Sequence, residues 1–428
     1  MRLARVFAGG LALVVLASVG AAAFGLDAPH TLRHSKPANQ HLSVTNHSRS
    51  HRAVAHHSAS TPTSARHRKY LAGSTNSGAT LRHASLRVHR HRYYERFTAS
   101  SFAAGDIFAD DITTGENPVV RQAAIDALGD MNGTAVVIDP SNGRILAMVN
   151  QKLALSPGAE PCSTIKLSVA LAALSEGIVT RDTLVRLPGF RMNMTEAIAH
   201  SNNLYFEELG RELGFDRVRH YATQFGLGEL AGYNIPGEQL GAYPDQPLAE
   251  SEGGVGKMCS FGQGVSMTPL QLGAFVAAIA NGGTLYYLQH PSSPLEVASF
   301  QPRVKRTLDI AKLVPDLQDG MAGAVQYGTA RRLRANFQEL PVFGKTGTCS
   351  DKGTRFGWFV SFSDTPQGSL VTVFFLEGGR PTFGPRAAEL TGEFYKNLWD
   401  RNYFADKGTP ATAAVPTATP GSPTIQQQ

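Results

Sequence analysis

The sequence predicts an α+β domain: an antiparallel sheet flanked by helices, with an inserted all-helical lobe. Three observations support this. A hairpin pattern, Gly133 to Ile138 and Arg144 to Val149, stands near the start of the globular part. Three consecutive apolar β-type runs, Val342 to Cys349, Phe356 to Phe362 and Leu370 to Leu376, stand near its end. Between them the apolar residues recur at helical spacing and the breaks carry helix caps.

The flanks are excluded from that fold. Residues 1–26 open with Arg2 and Arg5 and continue as an apolar run from Val6 to Leu26, long enough to cross a bilayer. Ala21-Ala22-Ala23 satisfies the small-residue rule for cleavage, so the segment is read as a signal peptide or a membrane anchor, with membrane contact through this segment. Residues 27–96 hold eleven of the fourteen histidines and twelve Lys or Arg but few acids, and cannot bury a core. They read as a disordered basic linker, or as an arm for anionic wall polymer or lipid. Their histidines are too irregularly spaced for a specific metal site. The folded domain is expected over 97–405, and the Pro/Thr/Ala-rich stretch 406–428 as a disordered tail.

The formal charge of +6 misrepresents the body, which carries 26 basic against 32 acidic residues from Phe97 onward. No basic face for nucleic acid is expected. Cys162, Cys259 and Cys349 leave at least one thiol unpaired, so a disulfide-stapled scaffold is not expected.

Within the domain, Pro118 to Leu128 has helical periodicity and a Gly129 stop. Asp139-Pro140-Ser141-Asn142-Gly143 is turn chemistry for the first hairpin. Leu153 to Pro161 reads as loop. Ser163 to Glu176 is apolar on nearly every side, so this helix is expected inside the domain. A helical region from Met194 to Leu213 is interrupted around Ser201-Asn202-Asn203. Thr268-Pro269 starts a helix with a hydroxyl cap and a first-turn proline, and Asn281-Gly282 closes it. A last helix is expected from Pro385 to Trp399.

Three short strings carry chemistry. Ser163 follows Pro161-Cys162 at the mouth of the buried helix, where backbone N–H groups and the helix dipole favour developing negative charge. Lys166 lies three positions on, roughly 4.5 Å along the axis and near the same face, so its amine reaches the hydroxyl. Burial lowers a lysine's pKa toward neutrality, as a base for serine requires. The alternative for the isolated string is a serine cap with a lysine snorkelling to solvent. Ser201 can relay a proton and the Asn203 amide can both donate and accept. Lys345-Thr346-Gly347-Thr348 lies in a strand, where the lysine and two hydroxyls suit a carboxylate and the glycine permits close approach of a peptide backbone. The Thr348 and Ser163 N–H groups are expected to form an oxyanion hole.

Taken in order, Ser163-Thr164-Ile165-Lys166, Ser201-Asn202-Asn203 and Lys345-Thr346-Gly347 resemble the three motifs of class B penicillin-binding proteins, within the family that includes serine β-lactamases. The resemblance runs from about Pro118 to Trp399. It extends to Val137-Ile138-Asp139-Pro140, Pro236-Gly237-Glu238, Phe261-Gly262-Gln263-Gly264 and Trp358-Phe359-Val360. It implies a β-lactamase/transpeptidase-like fold and a peptidoglycan D,D-transpeptidase. Peptidoglycan stem peptides ending in D-alanyl-D-alanine would acylate Ser163, and β-lactam antibiotics would trap it. Ser163, Lys166, Ser201 and Asn203 are then catalytic, while Lys345, Thr346, Gly347 and Thr348 bind substrate. No cofactor and no metal are implied. The implied place is the cell envelope, at the cytoplasmic membrane with the catalytic domain on the periplasmic side, or secreted if the leader is cleaved. Cell-wall synthesis proteins are candidate partners.

The chain departs from that pattern in two respects. The basic arm stands where class B members carry a folded module, so a standard partnership with a glycan polymerase is not expected. Cys162 replaces a small residue beside the nucleophile; with Cys349 it is expected as a buried free thiol, the alternative being a reversible disulfide that alters acylation. A D,D-carboxypeptidase, a serine β-lactamase using Glu238 as water-activating base, and a non-catalytic penicillin sensor are the rival readings. Glu238 belongs to the Pro-Gly-Glu segment of the synthetic enzymes, which disfavours the lactamase.

Overall fold

The computed structural model describes residues 98–405. The leader, the basic arm and the tail lie outside the described residues, and among the described residues no helix is long and apolar enough to cross a membrane.

The first helix, α1 (Pro118–Leu128), begins where the Asn117 side chain accepts from the Val119 and Val120 N–H groups, and it ends at Gly129. Strands β1 (Gly133–Asp139) and β2 (Arg144–Val149) form the expected hairpin. Its turn is closed by the Asp139 carboxylate, which accepts from the Ser141 N–H and the Asn142 amide. A bulge falls between Val137 and Ile138. A short helical turn, Gln151–Ala154, begins ahead of the stretch Leu153 to Pro161 read as loop and takes in its first two residues.

The lobe follows. A 3-10 turn, Cys162–Ile165, runs straight into α2 (Lys166–Ser175), in which every residue from Lys166 to Leu174 is buried. The interrupted helical region resolves into α3 (Met194–Ala199) and α4 (Asn203–Leu213), separated by a break at which Ser201 takes a left-handed φ of 55°. The middle residue of Ser-Asn-Asn has a structural role: the Asn202 side chain accepts from the Tyr205 N–H and caps α4. Helices α5 (Phe215–Gln224) and α6 (Gly254–Phe261) complete this part. Helix α7 (Pro269–Ala280) starts on a reciprocal cap between Thr268 and Gln271. Helix α8 (Val314–Gln326) packs on α3 through its glycines, since a Cβ on Gly320 would lie 2.7 Å from Ile198 Cβ and one on Gly323 would lie 3.0 Å from Ala199 Cβ.

The chain then returns to the sheet as β3 (Phe343–Asp351), β4 (Thr354–Thr365) and β5 (Gly368–Gly378), and closes with α9 (Gly384–Asp400). The five strands lie in the order β2-β1-β5-β4-β3, every pair antiparallel. Early and late segments therefore share one sheet, as expected, and β3 is an edge. Alternation along the strands feeds two apolar layers. Val136, Ile138, Trp358, Val360 and Val373 face the helical lobe, α2 and α7. Ala135, Val137, Phe359, Phe374 and Leu376 face α1 and α9. Each large side chain so buried is worth about 1.5–3 kcal/mol. The nucleophile's turn, the α3–α4 break and the β3 edge meet on the lobe side.

Candidate active site

The turn that presents Ser163 is held on both sides. Cys162 has a φ of +51°, a left-handed value that non-glycine residues adopt at a cost of about 1–2 kcal/mol. Thr164 turns back to Pro161, whose carbonyl accepts from both the Thr164 N–H, 3.1 Å, and its hydroxyl, 2.7 Å. The buried Trp358 indole donates to the Glu160 carbonyl at 3.0 Å. These contacts press the turn against β3 and β4.

One expectation is corrected here. Cys162 and Cys349 are not free thiols: they form a disulfide with Cα atoms 5.5 Å apart. The reason is that β3 runs past the nucleophile's turn at bonding range, although the two cysteines are 187 positions apart in sequence. Cys259 is the unpaired thiol among the described residues; it is buried, which pushes its pKa up to about 12. Gly347, expected to leave room for a peptide, also serves an internal contact. A Cβ there would lie 2.8 Å from the Pro161 carbonyl oxygen and 3.2 Å from Thr164 Cγ2.

Lys166 is fully buried at the start of α2. Its Nζ lies 2.9 Å from Ser163 Oγ, 2.9 Å from the Ser201 carbonyl oxygen, 3.1 Å from Ser201 Oγ and 2.7 Å from Asn203 Oδ1. Burial first, and the neighbouring Lys345 charge second, hold its pKa well below the ordinary lysine value, against a smaller opposite pull from Glu207. A neutral amine has two N–H donors and one lone pair, so it can satisfy acceptors at Ser201 and Asn203 while receiving the Ser163 proton.

Lys345 is not the exposed cation that a sheet edge suggests. It is fully buried, donates to Ser201 Oγ at 2.8 Å and to the Thr346 carbonyl at 3.0 Å, and burial brings its pKa down to about 7. The two lysines come from opposite walls and share the Ser201 hydroxyl. The left-handed backbone at Ser201 turns that hydroxyl inward, out of the helical path on either side.

The strand's hydroxyls are also engaged. Thr346 is buried and donates to Thr329 Oγ1 at 2.7 Å, whereas Thr348 is exposed and accepts the Gly384 N–H at 2.8 Å. Thr348 keeps its own proton for a ligand. All eight sequence-predicted residues, Ser163, Lys166, Ser201, Asn203, Lys345, Thr346, Gly347 and Thr348, thus fall in one site. Thr329 and Trp358 also contact it, and neither was singled out for the site. Trp358 sits in a segment chosen for likeness alone, and Thr329 follows a Tyr-Gly pair that reads as an ordinary helix end.

Glu238 is directed elsewhere. Its carboxylate accepts from the Ala231 N–H at 2.8 Å and the Gly232 N–H at 3.0 Å. It lines an open recess of about 540 Å³ with Tyr233, Tyr287 and Lys305.

The family model described as "Penicillin binding protein transpeptidase domain" matches residues 133–396. Stage V sporulation protein D of Bacillus subtilis is 28% identical over 316 residues, 61% of this chain and 48% of that protein. Peptidoglycan D,D-transpeptidase MrdA of Acinetobacter baumannii is 26% identical over 347 residues, 63% of this chain and 51% of that protein. The chain spans about half the length of these curated relatives. Among solved structures, penicillin-binding protein A of M. tuberculosis as an imipenem acyl-enzyme complex matches with a TM-score of 0.54 at 22% identity, over 66% of this chain and 78% of that one. That likeness shows a shared fold.

Proposed function

Because the chain belongs to the penicillin-binding protein transpeptidase-domain family, we propose that it is a peptidoglycan D,D-transpeptidase that works through an acyl-enzyme on Ser163. The reading is carried by one observation: the Ser163 hydroxyl lies 2.9 Å from a fully buried lysine whose pKa is lowered.

In this mechanism Ser163 Oγ attacks the carbonyl carbon of the D-alanyl-D-alanine bond as its proton passes to the neutral Lys166 amine. The resulting oxyanion takes hydrogen bonds from the Ser163 and Thr348 N–H groups. The C–N bond then breaks, and the leaving amine receives a proton from Lys166 through the Ser201 hydroxyl. Asn203 holds the Lys166 amine and the donor's backbone. Lys345, Thr346 and Thr348 receive the donor's terminal carboxylate, whose charge favours the protonated state of Lys345. The amine of a neighbouring stem attacks acyl-Ser163, its proton returns through Lys166, and the crosslink forms as Ser163 is released. A β-lactam is attacked in the same way, but its leaving group stays tethered and the ester persists. The engagement of Glu238 by two backbone N–H groups, away from the lysines, supports a synthetic enzyme over a lactamase.

In the proposed organisation residues 1–26 address the chain to the membrane, 27–96 form a linker, 97–405 form the catalytic domain outside the cytoplasm, and 406–428 form a tail. Stem peptides are the substrate, and cell-wall synthesis proteins are candidate partners.

Fluorescent penicillin should label the intact protein covalently and leave Ser163→Ala unlabelled. With a labelled stem-peptide thioester and a D-amino acid, transfer product should exceed hydrolysis product. Equal labelling of Ser163→Ala, or hydrolysis without transfer, overturns the assignment.

A further inference from the structure

We propose that Thr329 is a positioning residue for the acyl donor's carboxylate: it supplies the hydrogen bond that lets the Thr346 hydroxyl turn outward and donate to that carboxylate. The inference rests on the transpeptidase reading above.

Thr329 stands in the turn after α8, half-buried, between the two walls of the site. Its Oγ1 is 2.7 Å from Thr346 Oγ1, and its N–H donates to the Ala199 carbonyl at 3.1 Å. Ala199 ends α3, two residues before Ser201, whose hydroxyl accepts from Lys345. Thr329 therefore ties the lobe wall that carries Ser201 to the strand that carries Lys345 and Thr346. The preceding residue sets how close this tie is, for a Cβ on Gly328 would lie 2.1 Å from the Ala199 carbonyl oxygen.

The proton count gives the tie a chemical role. Each hydroxyl donates once and accepts twice. While Thr346 donates to Thr329, its own proton is spent inside the protein, and a carboxylate offers acceptors alone. For Thr346 to donate to a carboxylate, the hydroxyl–hydroxyl bond has to reverse, with the Thr329 O–H donating to Thr346 Oγ1. As the side chains stand only Thr346 is placed to donate, so the reversal takes a small rotation of the Thr329 side chain; no proton changes owner. A residue of the same shape without a hydroxyl removes this option and leaves buried Thr346 without its inner partner.

The test compares second-order acylation by benzylpenicillin with acylation by its carboxylate methyl ester, using the full-length protein in detergent. Thr329→Val preserves shape and the backbone N–H to Ala199. It should lower the benzylpenicillin rate about tenfold, chiefly through weaker pre-acylation binding, and change the ester rate less than twofold. Thr329→Ser should restore the wild-type ratio of the two rates. If Thr329→Val does not fold, Thr329→Ala is judged by the same ratio. A proportional fall with both compounds, an unchanged benzylpenicillin rate, or failure of Thr329→Ser to restore the ratio overturns the proposal. Absence of covalent labelling of the wild-type protein instead overturns the transpeptidase reading.

Discussion

Lys166 and Lys345, two fully buried lysines, meet at a single hydroxyl: Ser201 Oγ lies 3.1 Å from the first Nζ and 2.8 Å from the second. Two ammonium groups held this close in a dry site disfavour each other's charge, and the proton shared by the group is placed by Ser201.

Acylation should therefore follow a bell-shaped pH profile. The acid limb reports loss of the Lys166 proton, moved down from the ordinary lysine range by burial and by Lys345. The basic limb reports loss of the Lys345 proton near 7 in the free enzyme. Replacing Lys345 with Arg, which stays protonated, should lower the maximum rate and displace the basic limb upward. Second-order labelling rates between about pH 5 and 10 measure both limbs; an identical basic limb in Lys345→Arg contradicts the assignment.

The same burial predicts a pH-dependent stability. The unfolded chain keeps the Lys345 proton up to the ordinary lysine value of 10.5, whereas the folded chain releases it near 7. Between those values the unfolded state binds more protons, so stability rises with pH. Lys166 contributes with the same sign. Lys345→Met should flatten the rise and increase thermal stability at pH 6, by on the order of 2–4 °C for each kcal/mol recovered, while abolishing acylation. Thermal melts across pH measure this slope, and a wild-type protein with no more rise than Lys345→Met would show the lysine to be solvated.

Gly347→Ala should damage the nucleophile from the strand side. Its methyl group would sit 2.8 Å from the Pro161 carbonyl oxygen, backbone that cannot swing aside, so the turn carrying Ser163 has to shift. A displacement of this kind costs acylation about a hundredfold. A penicillin acylation rate within threefold of wild type would show that the turn does not depend on this contact.

Opening the Cys162–Cys349 bridge with a dithiol reductant should slow acylation. The bridge helps to hold Cys162 at its left-handed φ, beside Ser163, and without it that conformation has to be kept at a cost of about 1–2 kcal/mol, which corresponds to a roughly tenfold slower reaction. Cys162→Gly should make the rate insensitive to reductant, because glycine takes positive φ freely. Identical rates with and without reductant in the wild type would disprove the link.

Much of the site was legible because its chemistry depends on short local strings. Ser163 and Lys166 are one helical turn apart, and the Thr268 cap and the Gly129 stop announce their helix ends directly. The strand runs marked the sheet, although β4 and β5 extend two or more residues beyond the apolar stretches into their polar ends. What escaped were relations between distant segments. No local pattern tells that Gly347 faces Pro161 or that Thr329 reaches Thr346, and the Cys162–Cys349 bridge was only the lesser alternative to free thiols. The burial of Lys345 was hidden for the same reason, since a lysine on an edge strand reads as exposed until the lobe is placed against it.

The sheet order carries a consequence for biogenesis. Strand β1 pairs with β5, whose partners Val371 to Leu376 are made more than two hundred residues later, and β3 joins the sheet only through β4. A nascent chain that has emerged as far as Ser163 has no sheet to seat it on, and contacts of such long range form slowly. On the proposed function, acylation should therefore await completion of the late strands, and products truncated before them should not react with penicillin.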